Sequence, residues 1–174
     1  MKALLLETST EKGLIALLED GKPPIERWLD GGPSLSKNLA LEVAALLGGQ
    51  KVDLIAVGQG PGSYTGIRVG AALAQGLALG WGVPLVGFCS LEAFLPSPEY
   101  AVLVDARSGG LYCLYEGVCK KIPIDDPLLQ TLPLLASPHP DLIAKRIALP
   151  GQWTEEKPHS RNLLSKTTPL HLSY

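Results

Sequence analysis

Residues 58 to 66 read Gly58-Gln59-Gly60-Pro61-Gly62-Ser63-Tyr64-Thr65-Gly66, the densest chemically suggestive stretch of the chain. Glycines let backbone N–H groups turn toward a ligand, and a loop that opens a helix presents those groups to anions. Gly60, Gly62, Ser63 and Thr65 are therefore candidate phosphate contacts. The loop is not a Walker A motif, because no Gly-Lys-Ser/Thr closes it. Gly60, Gly62 and Gly66 form a variant of the dinucleotide fingerprint, yet the next apolar run, ending near Phe88, supplies no acid for a ribose. The same glycines also suit a tight strand-to-helix turn with close packing, so both readings stand.

Two further clusters end apolar runs. Thr8, Ser9 and Thr10 follow Leu4-Leu5-Leu6-Glu7, and their hydroxyls suit phosphate oxygens. Glu7 leads this turn. Asp105 and Arg107 close a later run on the same side of the strand, as a ligand contact or as a pair that fixes the loop. Other chemistries lack their marks. His139, His159 and His171 are scattered, with no His-x-x-x-His for a helical metal site. No Gly-x-Ser-x-Gly elbow exists. Cys89 follows a strand and reads as a small buried thiol.

These residues need elements to hold them. Lys2–Glu7, 13–19 and 24–29 read as three strands joined by tight turns, with Asp20-Gly21 the clearest turn signal. Asp30-Gly31-Gly32-Pro33 is a break, after which Ser34 or Ser36 caps a helix to about Leu47, stopped by Gly48-Gly49. A strand over 52–57 feeds the Gly-rich loop, a helix runs over 67–79 to Gly80, and a strand follows over 84–88. Ser90 caps a short helix to about Leu95, and Pro96 and Pro98 mark a boundary. Strands over 100–104 and 111–115 come next, then a helix around 127–135 and a strand around 146–149. No internal repeat is visible. The order βββαβαβ followed by another strand-led unit outlines a meander continued by parallel crossovers.

Composition bounds the rest. With 174 residues, 46% hydrophobic and 18% charged, the chain is core-rich and one domain or two small lobes in size. Eighteen of the 19 glycines lie at or before Gly117, and eight of the 15 prolines lie from Pro123 to Pro169, so a well-specified first lobe precedes a loop-rich second one. The net charge of −2 disfavours a solo nucleic-acid binder, which needs a basic surface for phosphates. The three cysteines, odd in number and without C-x-x-C, fit a reduced cytosol. Val69 to Leu91 carries no charge, but Gln75, Pro84 and its glycines break it as a membrane span.

Both helices are apolar nearly all round. From Leu35 to Leu47 the polar side chains are Ser36, Lys37, Asn38 and Glu42, and from Ile67 to Leu79 they are Arg68 and Gln75. A helix apolar all round must be buried all round, and a chain this short has little to cover the side away from the sheet. The expectation is a protein–protein interface on both helices.

Three stretches resemble the TsaB (YeaZ) family. Leu4-Leu5-Leu6-Glu7-Thr8-Ser9-Thr10 is similar to its opening L-x-I-D-T-[SA]-T. Residues 58–70, with Ala74-Gln75-Gly76-Leu77-Ala78 after them, are similar to G-x-G-P-G-S-[FY]-T-G-x-R-x-G. Asp105-Ala106-Arg107-Ser108-Gly109 with Tyr112 is similar to D-A-R-x-G-x-x-Y, and Thr168-Pro169-Leu170-His171-Leu172 faintly echoes the P-x-Y-L ending. The resemblance implies an α/β, actin-like (ASKHA, ribonuclease-H-like) first lobe, here over 1–98, and a shortened second lobe over 99–174. It implies a cytoplasmic, non-catalytic scaffold that heterodimerises with TsaD, works with the ATPase TsaE in threonylcarbamoyl transfer to tRNA, and meets tRNA only through the complex. Alone, it implies a homodimer. Mapped onto the two helices, the partner interface is Leu39, Glu42, Val43, Leu46, Arg68, Val69, Ala72, Gln75 and Gly76. No tightly bound cofactor or metal is implied, with ATP or ADP placed at the junction of the complex. TsaD carries a histidine pair for its metal, where this chain has Asn38 and Glu42. Departures are Glu7 for the usual Asp, Gly110 for an acid, His171 for Tyr, and a shorter region after Gly117. The alternative is a nucleotide-binding enzyme of the actin-like superfamily using the 58–66 loop.

Overall fold

A computed structural model describes residues 1–32, 34–107, 109–160 and 163–170. Pro33, Ser108, His171 and Leu172, each part of a sequence-based expectation, lie outside the described residues. The chain forms two compact units, one from residues 1–90 with the segment from 158 onward, the other from 91 to 157. The sequence-based boundary after Pro98 assigned that last segment to the second lobe; in the structure it packs with the first.

In the first unit, β1 (Lys2–Glu7), β2 (Lys12–Glu19) and β3 (Ile25–Asp30) form the expected antiparallel meander. Chain reversals force this pairing, because the connections are too short for a crossover. Helix α1 (Leu35–Leu47) then crosses to β4 (Leu54–Gly58), and α2 (Tyr64–Trp81) to β5 (Leu85–Phe88), both parallel additions. The sheet order is β11-β5-β4-β1-β2-β3, where β11 is the pair Thr168–Pro169. Alternation along β1 and β4 sends Leu4, Leu6, Ile55 and Val57 into one core with Leu39, Val43 and Leu46 of α1 and Ala74 and Ala78 of α2.

Helix α2 is longer at both ends than its apolar run predicts. Ser63 begins it, its Oγ accepting the Gly66 N–H at 3.3 Å, and Gly80 does not stop it. The helix ends at Gly82, which takes the left-handed conformation (φ 68°) that a side chain resists.

In the second unit, β6 (Ala101–Asp105), β7 (Leu111–Tyr115) and β8 (Val118–Ile122) form another antiparallel meander. Strands β9 (Leu134–Ser137) and β10 (Gln152–Glu155) are added in parallel, giving the order β10-β9-β6-β7-β8. This repeats the β5-β4-β1-β2-β3 order of the first unit, a duplication of topology that the sequence does not display. The connecting helices are much reduced: a four-residue 3-10 turn (Pro127–Gln130) and α3 (Pro140–Ala144) replace the 13 and 18 residues of α1 and α2. Three expectations are corrected here. The helix around 127–135 is that short turn followed by β9, residues 146–149 are not a strand, and β8, α3 and β10 were not foreseen. Prolines at 127, 133, 138 and 140 break the periodicity from which elements are read.

The segment from 158 straps the first sheet at both sides. Ser160 donates to Glu26 Oε1 from both its N–H and its Oγ, each at 2.6 Å, and the Trp28 indole N–H donates to the Pro158 carbonyl at 2.9 Å. Further on, β11 pairs antiparallel with β5, and Leu170 N–H donates to Leu85 O at 3.0 Å. Glu26→Ala removes both bonds to Ser160, a loss of about 1–3 kcal/mol for hydrogen bonds to a charged group. We expect limited proteolysis to cut the variant near residues 157–161 well before the native chain; equal cleavage rates would argue against the strap.

Candidate functional site

The Gly-rich loop and the Thr8–Thr10 turn meet and bond to each other. Thr8 emerges from β1 on the helix side, and its hydroxyl donates to the Gly66 carbonyl at 2.8 Å. Ser63 N–H donates to Ser9 O at 2.6 Å. Thr10 closes its own turn, donating to Lys12 O at 3.0 Å and accepting Lys12 N–H at 3.1 Å. Gly60 N–H donates to Ser90 Oγ at 2.9 Å, while Ser90 N–H donates to Gly60 O at 2.9 Å. Of the expected phosphate contacts, Thr8, Ser9 and Gly60 are buried, Gly62 and Thr10 half-buried, and Ser63 and Thr65 exposed.

Three glycines make this closure sterically feasible. A Cβ on Gly66 would stand 2.0 Å from the Thr8 carbonyl oxygen, one on Gly70 2.3 Å from Thr8 Oγ1, and one on Gly62 2.3 Å from Ser9 O. The glycine spacing at 66 and 70 thus serves contact of α2 with the end of β1. The interlocked loop is a rigid mount for the first turn of α2.

Beneath the loop lies Glu7, fully buried. Its Oε1 accepts the Ser9 N–H at 2.6 Å, and its Oε2 is buried without a hydrogen-bond partner. Burial pushes its carboxyl above the ordinary value of 4.5, against hydrogen bonds from Ser9, Ser90 and the Thr8 backbone that favour the charged form. Among the described residues no cluster of three or more His, Cys, Asp or Glu could hold a metal ion, and no helix is long and apolar enough to cross a membrane. Burial drives the Cys113 thiol up to about 11, unsuited to nucleophilic work.

The outward side of the two helices is apolar. On α2, Tyr64, Arg68, Ala72, Gln75, Gly76 and Leu79 are exposed, with Tyr64 73% and Leu79 49% accessible. Arg68 stacks over the Tyr64 ring at 5.2 Å from its centroid. On α1, Ala40, Leu41, Ala44 and Ala45 are exposed, Leu41 at 69%. The expected interface set is divided by the fold. Arg68, Ala72, Gln75 and Gly76 lie on the open side, Val69 is half-buried, and Glu42 is half-buried beside Arg27 at 3.5 Å. Leu39, Val43 and Leu46 instead turn into the core. A helix apolar all round offers two stripes, and composition alone does not say which one meets the sheet. Leu41, Ala44 and Ala45, at i, i+3 and i+4, were the overlooked stripe.

In the second unit, Asp105 and Arg107 are joined at the end of β6. Asp105 Oδ1 accepts the Arg107 backbone N–H at 2.8 Å, and the Asp105 carboxylate also pairs with Arg146, 41 positions along the chain. Arg107 sits at φ 55°, a left-handed conformation unusual for a side-chain-bearing residue.

A family model described as "TsaD: tRNA N6-adenosine threonylcarbamoyltransferase" matches residues 40–158, more than half of the chain. The "tRNA threonylcarbamoyladenosine biosynthesis protein TsaB" of Haemophilus influenzae is 38% identical over 120 residues, covering 63% of this chain and 51% of that protein. Its Escherichia coli namesake is 31% identical over 123 residues, 64% of this chain and 53% of that one. Among solved structures, "YeaZ from Pseudomonas aeruginosa" superposes with a TM-score of 0.69 at 25% identity, covering 94% of this chain and 89% of that chain. The chain belongs to the TsaB/YeaZ family. It spans about half the length of the curated TsaB relatives it matches. The fold is the actin-like one of TsaD and YeaZ, and the duplicated strand order is its signature here. As in the solved YeaZ structure, the match runs through both units, so the family fold survives the reduction of the second unit's helices.

Proposed function

We propose that this chain is a non-catalytic partner subunit in the synthesis of threonylcarbamoyladenosine in tRNA, docking on TsaD through the outward side of α1 and α2. The observation that carries the reading is the apolar side of those helices, Leu41, Ala44 and Ala45 on α1 with Ala72, Gly76 and Leu79 on α2. Small residues there let a second pair of helices approach closely, and the desolvated area drives association. Arg68 and Gln75 supply the polar contacts that fix orientation.

Several features support the scaffold role over the alternative of a nucleotide enzyme. Four of the candidate phosphate groups, the Ser63 N–H, the Thr8 and Thr10 hydroxyls and the Gly60 N–H, are engaged with Ser9, Gly66, Lys12 and Ser90. Asn38 and Glu42 stand where the resemblance assigns TsaD its histidines. TsaE, tRNA and any ATP or ADP then belong to the assembled complex, and a second copy of this chain covers the same helices when TsaD is absent. Co-expression with the cognate TsaD, tagged on TsaD alone, tests the reading. A stoichiometric complex in size-exclusion chromatography is expected; two separate peaks at micromolar concentrations would reject it. Tight ATP or NAD binding by the isolated chain in calorimetry would restore the enzyme reading.

A further inference from the structure

Strand β3 is the last strand on its side of the first sheet, and the docking of TsaD proposed above makes no use of it. It pairs with β2 in unbroken register from Ile25 to Asp30. Neither proline nor a bulge interrupts those six residues, although such devices commonly blunt a sheet edge. Gly31 N–H donates to Glu11 O at 2.9 Å, which sets the alternation along β3. The main-chain groups of Arg27 and Leu29 face β2, and those of Glu26 and Asp30 point away from it. A groove of about 470 Å³ runs beside this edge, between residues 27–30 and the turns of α1 that carry Asn38 and Glu42. A strand edge facing a helix across a groove is a setting for strand addition. Main-chain bonds then give affinity, and alternate side chains give selectivity.

We propose that β3 and α1 form a docking groove for an extended segment of another protein, added as a further strand, with the pattern basic-x-apolar-x-basic. The charges on β3 select this occupant. Leu29 packs into the core with α1 and Arg27 reaches Glu42, so these side chains point toward the helix. Glu26, Trp28 and Asp30 share the opposite side, where the strap bonds to Glu26 and Trp28. A strand laid along the edge sets alternate side chains beside these three, an acid at each end and a 54% exposed Trp28 between them. Strand β2 already supplies such partners on the inner side, with Lys12 opposite Asp30 and Leu14 opposite Trp28. The pattern reads the same in both directions, so it holds for parallel and antiparallel addition. A second copy of this chain fits badly. The two longest antiparallel registers of β3 on itself centre on Arg27 or on Trp28. The first sets Arg27 against Arg27 and the second Glu26 against Asp30, like charges directly opposite in each case. The edge is guarded against itself and open to a basic strand.

The test uses the intact chain and the peptide Lys-Val-Phe-Val-Lys, capped at both ends, with amide chemical shifts as the readout. Saturable shifts are expected at the Glu26 and Asp30 amides, and none on the outward side of α2. The charge-reversed peptide Glu-Val-Phe-Val-Glu should bind about tenfold more weakly, because two opposite-charge pairs become two like-charge pairs. Asp30→Asn removes one of the two acids at an exposed position and should narrow that preference to about threefold. N-methylation of alternate peptide bonds in the lysine peptide should abolish binding when it falls on the groups that face β3, an effect a purely electrostatic contact would not show. Equal affinity for the two peptides would overturn the proposal, as would shifts confined to other elements or no saturation at millimolar peptide. Shifts at the same amides on concentrating the chain alone would give the edge to a second copy and overturn it too. Peptide binding without any complex with TsaD would leave the groove standing and reject the docking role.

Discussion

Gly76→Arg is expected to abolish the complex with TsaD while leaving the fold intact. A Cβ on Gly76 meets nothing within 4 Å, so the isolated chain accommodates the new side chain in solvent. Against a packed partner helix the same side chain meets a close contact and buries a guanidinium without a counter-ion. Such centrally placed clashes weaken interfaces by about 100-fold or more, roughly 2.7 kcal/mol. Ala72→Arg, one turn away on the same exposed side, should behave alike. The decisive measurement is calorimetric titration of TsaD with native and variant chains whose circular dichroism and thermal melts coincide. Undiminished affinity in both variants would place the interface elsewhere.

Gly66→Ala should have the largest effect on stability. Helix propensity alone predicts a gain of about 1 kcal/mol, since Ala is the better helix former. The added methyl would stand 2.0 Å from the Thr8 carbonyl oxygen, a main-chain atom fixed at the end of β1. Relief requires α2 to lift from the sheet, which breaks the Thr8–Gly66 hydrogen bond and unpacks Ala74 and Ala78. Such overpacking costs about 3 kcal/mol net, or roughly 6–12 °C in Tm for a chain of this size. Gly80→Ala is the matched control on the same helix. Its Cβ meets nothing within 4 Å, so the propensity gain should appear unopposed and raise stability by up to about 1 kcal/mol. Urea denaturation of the pair separates helix propensity from packing; a stabilised Gly66→Ala would refute the contact argument.

What the sequence reveals here depends on how local the cause is. Strands β1 to β5 and both long helices follow from apolar runs bounded by Asp20-Gly21, Gly31-Gly32 and Gly48-Gly49, signals that act within a few residues. The end of α2 was misplaced because Gly80 and Gly82 carry the same local signal and only φ distinguishes them. The open side of α1 was misassigned because its cause is not local: Leu39 and Leu41 are equally apolar, and only the sheet decides which is covered. Glu7 reads only as the residue that leads the Thr8–Thr10 turn until Gly58 and Ser90, 51 and 83 positions away, enclose it. The contact of Asp105 with Arg146, 41 positions away, has a cause of the same kind. Beyond Gly117 short elements and eight prolines leave no period to follow.

The strap from residue 158 sets an order of events during synthesis. Phe88 closes β5, yet Thr168, which covers that strand's outer edge, leaves the ribosome about 80 residues later. At elongation rates of about 5–20 residues per second, the nascent sheet waits for several seconds with an unpaired edge. Unpaired edges recruit other strands, so nascent chains on one messenger are exposed to one another during that interval. That exposure precedes the synthesis of Thr168, and early capture of α1 and α2 by a partner would do nothing to cover the edge at β5.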